Sequence, residues 1–147
     1  MSQRARLRTL AMEDYDRWMA VWDEAGLHSV RPRGRDSREA FAAQLARGTH
    51  TMIGLEADGE LLGVVLATHD GRKGWINRLA VLPGYRRSGY AALLVAEAEK
   101  VLHQQGIAII AALIEPGNEA SLGLLRKMGY EEATGMHYVR KKQGPED

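Results

Sequence analysis

The chain of 147 residues carries 20 lysines and arginines against 19 acidic residues, is 45% hydrophobic and 27% charged, and has no cysteine. That length suits one domain around a single core, and the near-neutral balance gives no general attraction for nucleic acid or an anionic membrane surface. Without cysteine there are no disulfides, thiolate metal sites or acyl-cysteine intermediates; the five histidines lack H-x-x-x-H spacing and no G-x-S-x-G turn occurs, so neither a metal nor serine hydrolysis is expected.

In chain order, residues 5–10 alternate arginine with leucine and threonine and read as a short strand. A helix follows with Glu13, Asp14 and Asp16 in its first turns, where the macrodipole favours them, and an apolar stripe of Tyr15, Trp18, Met19 and Trp22. Residues 26–36 break the pattern as a loop, and Asp36 with Glu39 reads as a capping pair for a second helix that stops at Gly48. Residues 49–57 and 60–68 read as strands joined by Asp58-Gly59, a dipeptide suited to tight hairpins. A turn at residues 70–74 leads into a third strand over 75–81. Next comes a long helix from about Ser88 with Ala91, Leu94, Val95, Ala98, Val101 and Leu102 on one face and a stop at Gly106. Residues 107–114 are almost unbroken apolar, which suits a central strand buried on both faces. A last helix over 119–128 is capped by Asn118 and stopped by Gly129, and residues 130–132 with 137–140 form a closing hairpin. The expected order is β-α-α-β-β-β-α-β-α-β-β: an α/β fold with a mixed sheet and helices on both faces. Residues 1–141 form one domain and 142–147 a frayed tail. No apolar run approaches the ~20 residues of a membrane span and the N-terminus lacks a signal-peptide core, so a cytoplasmic location is expected.

The loop between the third of these strands and the long helix carries the chemistry. It reads Val-Leu-Pro-Gly-Tyr-Arg-Arg-Ser-Gly-Tyr-Ala over residues 81–91 and delivers backbone N–H groups to a helix N-terminus, a setting for an anion. Gly89 and Ala91 keep side chains out of the way, and the guanidinium groups of Arg86 and Arg87 stand over the same place, an arrangement fit for pyrophosphate. Neither the P-loop string nor the dinucleotide fingerprint is present. Instead, V-x-P-x-x-R-x-x-G-x-A closely resembles the acetyl-coenzyme A signature of the GNAT family of N-acetyltransferases. Downstream, Asn118-Glu119-Ala120-Ser121, Leu124 and Met128-Gly129-Tyr130 resemble that family's second signature.

The resemblance implies a sheet split like a V between its fourth and fifth strands, with acetyl-coenzyme A in the opening. Leu79, Ala80 and Val81 would pair with the pantetheine, Arg86 and the N–H groups of Arg87, Ser88, Gly89, Tyr90 and Ala91 would take the pyrophosphate, and Asn118 would meet the pantetheine or thioester. A neutral amine of a small molecule or peptide would attack the thioester directly, with the Val81 N–H steadying the oxyanion. The loop holding Arg31, Arg33 and Arg35 would wall the acceptor pocket and recognise a carboxylate or phosphate. The chain departs from the family where Asn77 stands at a common base position and Leu125 at the position of the tyrosine acid. Glu115 is the expected replacement base and Tyr138 the replacement acid or binding group. A non-catalytic acyl-coenzyme A binding module is the rival reading. No nucleic acid or membrane partner is expected, and the protein would be a monomer or homodimer.

Overall fold

The computed structural model of the chain describes residues 4–147. Five strands, β1 (Arg6–Thr9), β2 (His50–Ala57), β3 (Glu60–His69), β4 (Lys73–Val81) and β5 (Ile109–Ala112), lie in one sheet in chain order. The first four are antiparallel and β4 pairs with β5 in parallel. The β2–β3 turn follows from its two residues: Asp58 and Gly59 both adopt positive φ, of 52° and 76°, which matches the twist of a two-residue hairpin. At the next turn the Asp70 carboxylate accepts from the N–H groups of Arg72 and Lys73, at 2.9 and 2.8 Å.

Both sheet faces are covered, and period-two alternation sorts the strand residues between them. Met52, Val64, Leu66 and Ala80 join the aromatic residues of α1 (Tyr15–Ala25) and α2 (Arg38–Ala46). Ile53, Val65, Ala67, Ile76 and Val81 face α3 (Tyr90–Gln104) and α4 (Glu119–Lys127). On the first face Trp18 and Phe41 meet edge to face at 5.4 Å, with Tyr15 and Trp22 against the same phenyl ring. The stripe read from the sequence is thus core. No helix among the described residues is long and apolar enough to cross a membrane.

A second fixture ties β1 to the sheet and to α1. Arg8 donates to both carboxylate oxygens of Asp14, at 3.0 and 3.2 Å, and to Glu56, while Arg17 also pairs with Asp14 and Glu56. Hydrogen bonding from Arg8 holds both carboxyls below their ordinary range. Such groups stabilise the fold above their unfolded pKa values, and that stabilisation disappears as pH falls through the lower folded values. Asp14→Ala is expected to cost about 2 kcal/mol, because it removes two charge-assisted hydrogen bonds from Arg8 and leaves Glu56 as its one carboxylate partner. In urea titrations the variant should also lose less stability between about pH 5 and pH 2 than the parent.

Three local expectations need correction. Asp36 does not cap α2; Ser37 does, its Oγ accepting from the Ala40 N–H at 3.1 Å, and Asp36 is buried with its carboxylate on Arg78. The apolar run does not form a central strand: β5 is a four-residue edge, and Ile109 is 61% exposed. That exposure follows from the third difference, for among the described residues no strand forms after β5 and the closing hairpin is not made. Its arms are short, Glu131-Glu132 and Arg140-Lys141-Lys142 favour water, and Arg126 draws Glu132 toward α4 at 2.7 Å. The final residues pack elsewhere, with Arg33 paired to Glu146 at 2.8 Å.

Candidate active site

The cleft originates in a bulge. Leu66 faces Asn77 and Val64 faces Ala80, so Arg78 and Leu79 together oppose Val65, and Arg78 takes a φ of 52°. A bulge of this kind bends and twists its strand. Parallel pairing of β4 with β5 runs from Lys73↔Ile109 to Ile76↔Ala112 and then stops, so that residues 78–81 and 112–118 line opposite walls of a cleft of about 1070 Å³. This is the V expected between the fourth and fifth strands.

One wall presents usable backbone. The Leu82 N–H donates to the Leu62 carbonyl at 2.9 Å. Bonded and unbonded pairs alternate along an antiparallel ladder, so Ala80 bonds to Val64 while the N–H of Val81 points away from β3, toward the gap; Leu79, in the bulge, lines the same wall. The Val81 carbonyl, on the same side of the strand, accepts from Arg86 Nε at 3.2 Å.

At the end of that wall the chain makes an anion cradle. Arg87 and Gly89 adopt positive φ, of 66° and 79°, and α3 starts at Tyr90 with its first internal bond from Leu93 to the Gly89 carbonyl at 3.2 Å. Among the described residues nothing accepts a hydrogen bond from the N–H groups of residues 87–92. Six adjacent free donors at a helix N-terminus, in a loop that holds a non-glycine residue in left-handed backbone, make a site ready for phosphate oxygens. Ser88 and Arg87 are exposed beside it. Arg86 also lines the cleft; its Nε and Nη2 reach Val81 O and, at 3.4 Å, Ala25 O, so it braces the loop against β4 and α1. Tyr85 and Tyr90 stack at 6.5 Å on the cleft lining.

Across the gap, Asn118 caps α4 by accepting from the Ser121 N–H at 3.3 Å, and its Nδ2 has no acceptor among the described residues. Glu115 lies on the same wall, exposed to solvent. Leu125 lines the cleft but is only 6% exposed, so an apolar side chain stands where the resemblance calls for an acid.

Other candidates lie away from the cleft lining. Asn77 donates to Thr68 Oγ1 at 2.9 Å, Tyr138 is 68% exposed on the unpaired C-terminal stretch, and Arg31 and Arg35 bond to carbonyls of their own loop. Arg33 pairs with Glu146. The α1–α2 connection instead contributes residues 26–29, including His28. Sequence reading passed over His28 and the Asp36–Arg78 pair. The one available signal was Asn77-Arg78, two polar residues in succession where alternation asks for one.

The geometry agrees with the comparisons. A sequence model of the acetyltransferase (GNAT) family matches residues 7–130. An acetyltransferase of Yersinia pestis (strain Pestoides F) is 26% identical over 125 residues, 85% of this chain and 86% of the relative. Among solved structures, the aminoglycoside N-acetyltransferase AAC(6')-Iy with the bisubstrate analogue CoA-S-monomethyl-acetylneamine has a TM-score of 0.78 at 18% identity, covering 95% of this chain and 99% of that one. The PaiA N-acetyltransferase of Thermoplasma acidophilum in complex with coenzyme A gives 0.74 at 23%, covering 89% and 91%. These structural likenesses bear on the fold, whereas the sequence match runs from within β1 to Tyr130 and takes in both signatures. The chain therefore belongs to the GNAT family of acetyltransferases.

Proposed function

We propose that this acetyltransferase moves the acetyl group of acetyl-coenzyme A to an amine by direct attack, with both substrates in the cleft. The observation that carries the reading is the row of free N–H groups over residues 87–92, next to the cleft-lining stretch of β4 from Leu79 to Val81 that lies beyond its pairing with β5. Residues 87–91 take the pyrophosphate, with Arg87 adding charge from the rim. Leu79 and Val81 add the pantetheine as one more strand. Asn118 Nδ2 offers a donor from the opposite wall. The Val81 N–H then meets the thioester oxygen as negative charge develops on it.

An alkyl amine of pKa ~10 is neutral in only about one molecule in a thousand at pH 7, so a proton acceptor at the cleft raises the reactive fraction. Glu115 fills that role, directly or through one water. Leu125 has no proton to give, and the thiolate leaves with solvent as its acid; its pKa of ~8.5 makes that step undemanding. AAC(6')-Iy and the PaiA protein are named for amine acetylation, and the acceptor here belongs to the same broad class, a primary amine on a small molecule or peptide. The arginines at 31, 33 and 35 have no part in this reading.

The test is a panel of polyamine, aminoglycoside and peptide α-amines with acetyl-coenzyme A, following thiol release and acetylated product by mass. Transfer to one class over the others is the expected result. Tight coenzyme A binding, seen as a ligand-dependent rise in melting temperature, with no acceptor acetylated would instead describe a binding module.

A further inference from the structure

The bulge that opens the cleft also holds the loop beside it. Arg78 pairs through Nη1 with Asp36 Oδ1, and the two side chains are 11% and 4% exposed. Its Nη2 donates to the Ser29 carbonyl at 3.1 Å, and its own carbonyl accepts from Trp22 Nε1 at 3.0 Å. The guanidinium lies 5.1 Å from the centre of the Trp22 ring. From the loop side, Asp36 Oδ2 accepts the Arg31 N–H at 2.6 Å, and the Asp36 carbonyl accepts the Tyr15 hydroxyl at 2.5 Å. Residues 42 apart in sequence thus tie a strand, a helix and a loop together at one buried point.

Relying on the acetyl transfer proposed above, we infer that the Asp36–Arg78 pair is a positioning device for the amine: it latches residues 26–36 to the β4 bulge and so determines acceptor affinity without contributing to coenzyme A affinity. The loop's cleft-lining residues, Gly26 to Ser29, end at the residue whose carbonyl Arg78 grips. The cradle over residues 87–92 has its own brace, Arg86 on Val81 and Ala25, and neither it nor the edge at Leu79 and Val81 hydrogen-bonds to the Arg78 guanidinium or the Asp36 carboxylate, which bond to each other, Ser29 and Arg31. An apolar pair would fill the same space at no greater cost, since burying two charges roughly cancels their attraction. What the ion pair adds is direction. Four hydrogen bonds of fixed geometry specify one path for the loop, and with it one position for His28 and Ser29 on the cleft wall.

Asp36→Asn keeps the shape and removes the charge. With the amine that the parent acetylates fastest, its KM for that amine should rise about tenfold or more, while kcat and the Kd of coenzyme A by calorimetry stay within about twofold. Amide exchange at Arg31 should accelerate, since its acceptor is weakened. Arg78→Lys retains a charge for Asp36 but gives up the fork that reaches Ser29; it should move the same quantities in the same direction by less, and it serves as the readout if the asparagine variant does not fold. A parallel loss of coenzyme A affinity, or an unchanged amine KM, would overturn the latch. If the parent acetylates no amine, the proposed reaction fails separately. The latch is then judged by exchange: faster exchange over residues 26–36 with coenzyme A affinity intact supports it, and unaltered exchange refutes it.

Discussion

Gly89→Glu is expected to reduce coenzyme A affinity at least about a hundredfold while the protein stays folded. A hundredfold corresponds to about 2.7 kcal/mol, less than the repulsion between a carboxylate and a doubly charged pyrophosphate at contact in a half-shielded site. A Cβ at Gly89 meets no atom within 4 Å, so the protein itself has room for the side chain. The backbone is less tolerant: φ is 79°, which costs an L-residue about 1–2 kcal/mol. Gly89→Ala separates the two effects, because it bears the same backbone cost with no charge, and its affinity should fall by less than tenfold. Calorimetric titration with coenzyme A measures both. The carboxylate also satisfies the free N–H groups from within, so melting temperature without ligand should fall less for glutamate than for alanine. Wild-type affinity in the glutamate variant would place the donor site elsewhere.

The local geometry of the proposed donor half was legible in the sequence because local rules fix it. A helix N-terminus fed by a loop with Gly89 and Ala91 has free N–H groups whatever the rest of the chain does, and the Asn118 cap and the Asp58-Gly59 turn are decided within four residues. The proposed acceptor half depends on distant partners. Asp36 stands beside Ser37, and either residue type caps a helix; only Arg78, far along the chain, withdraws Asp36 from that role. The bulge is similarly hidden, since a positive φ at an arginine has no propensity signal. Residues 107–114 show how an apolar run fails to report its surroundings: the same string suits a central strand or an edge, and which one occurs depends on whether residues 130–140 pair beside it. The arginines at 31, 33 and 35 drew notice through their number. In the structure their loop's own carbonyls and Glu146 use them.

Glu115→Gln is expected to lower turnover at pH 7 by about ten- to a hundredfold, at or below the lower end of what general bases contribute, because the carboxylate proposed as the base is exposed to solvent. The amide has nearly the same shape and still accepts a hydrogen bond, so the Kd of coenzyme A should not change. The pH profile tests the role. For an amine of pKa ~10 the neutral fraction rises about tenfold per pH unit, and the substrate then needs the base less; the deficit of the variant should shrink steadily between about pH 7 and pH 9.5. A role in binding the ammonium ion predicts the reverse emphasis, a raised KM with turnover kept. Tyr138→Phe belongs in the same series, since Tyr138 is the alternative acid expected from the sequence and Leu125 has no proton to give. With Tyr138 mostly in solvent and off the cleft lining, its rate should stay within about twofold of the parent. A turnover-only loss there would mean that the C-terminal stretch folds over the cleft during the reaction and protonates the thiolate. An unaltered rate in Glu115→Gln across the pH range would leave proton removal to solvent alone, and the enzyme would then favour α-amines, which near pKa ~8 are neutral in about one molecule in ten at pH 7 without assistance.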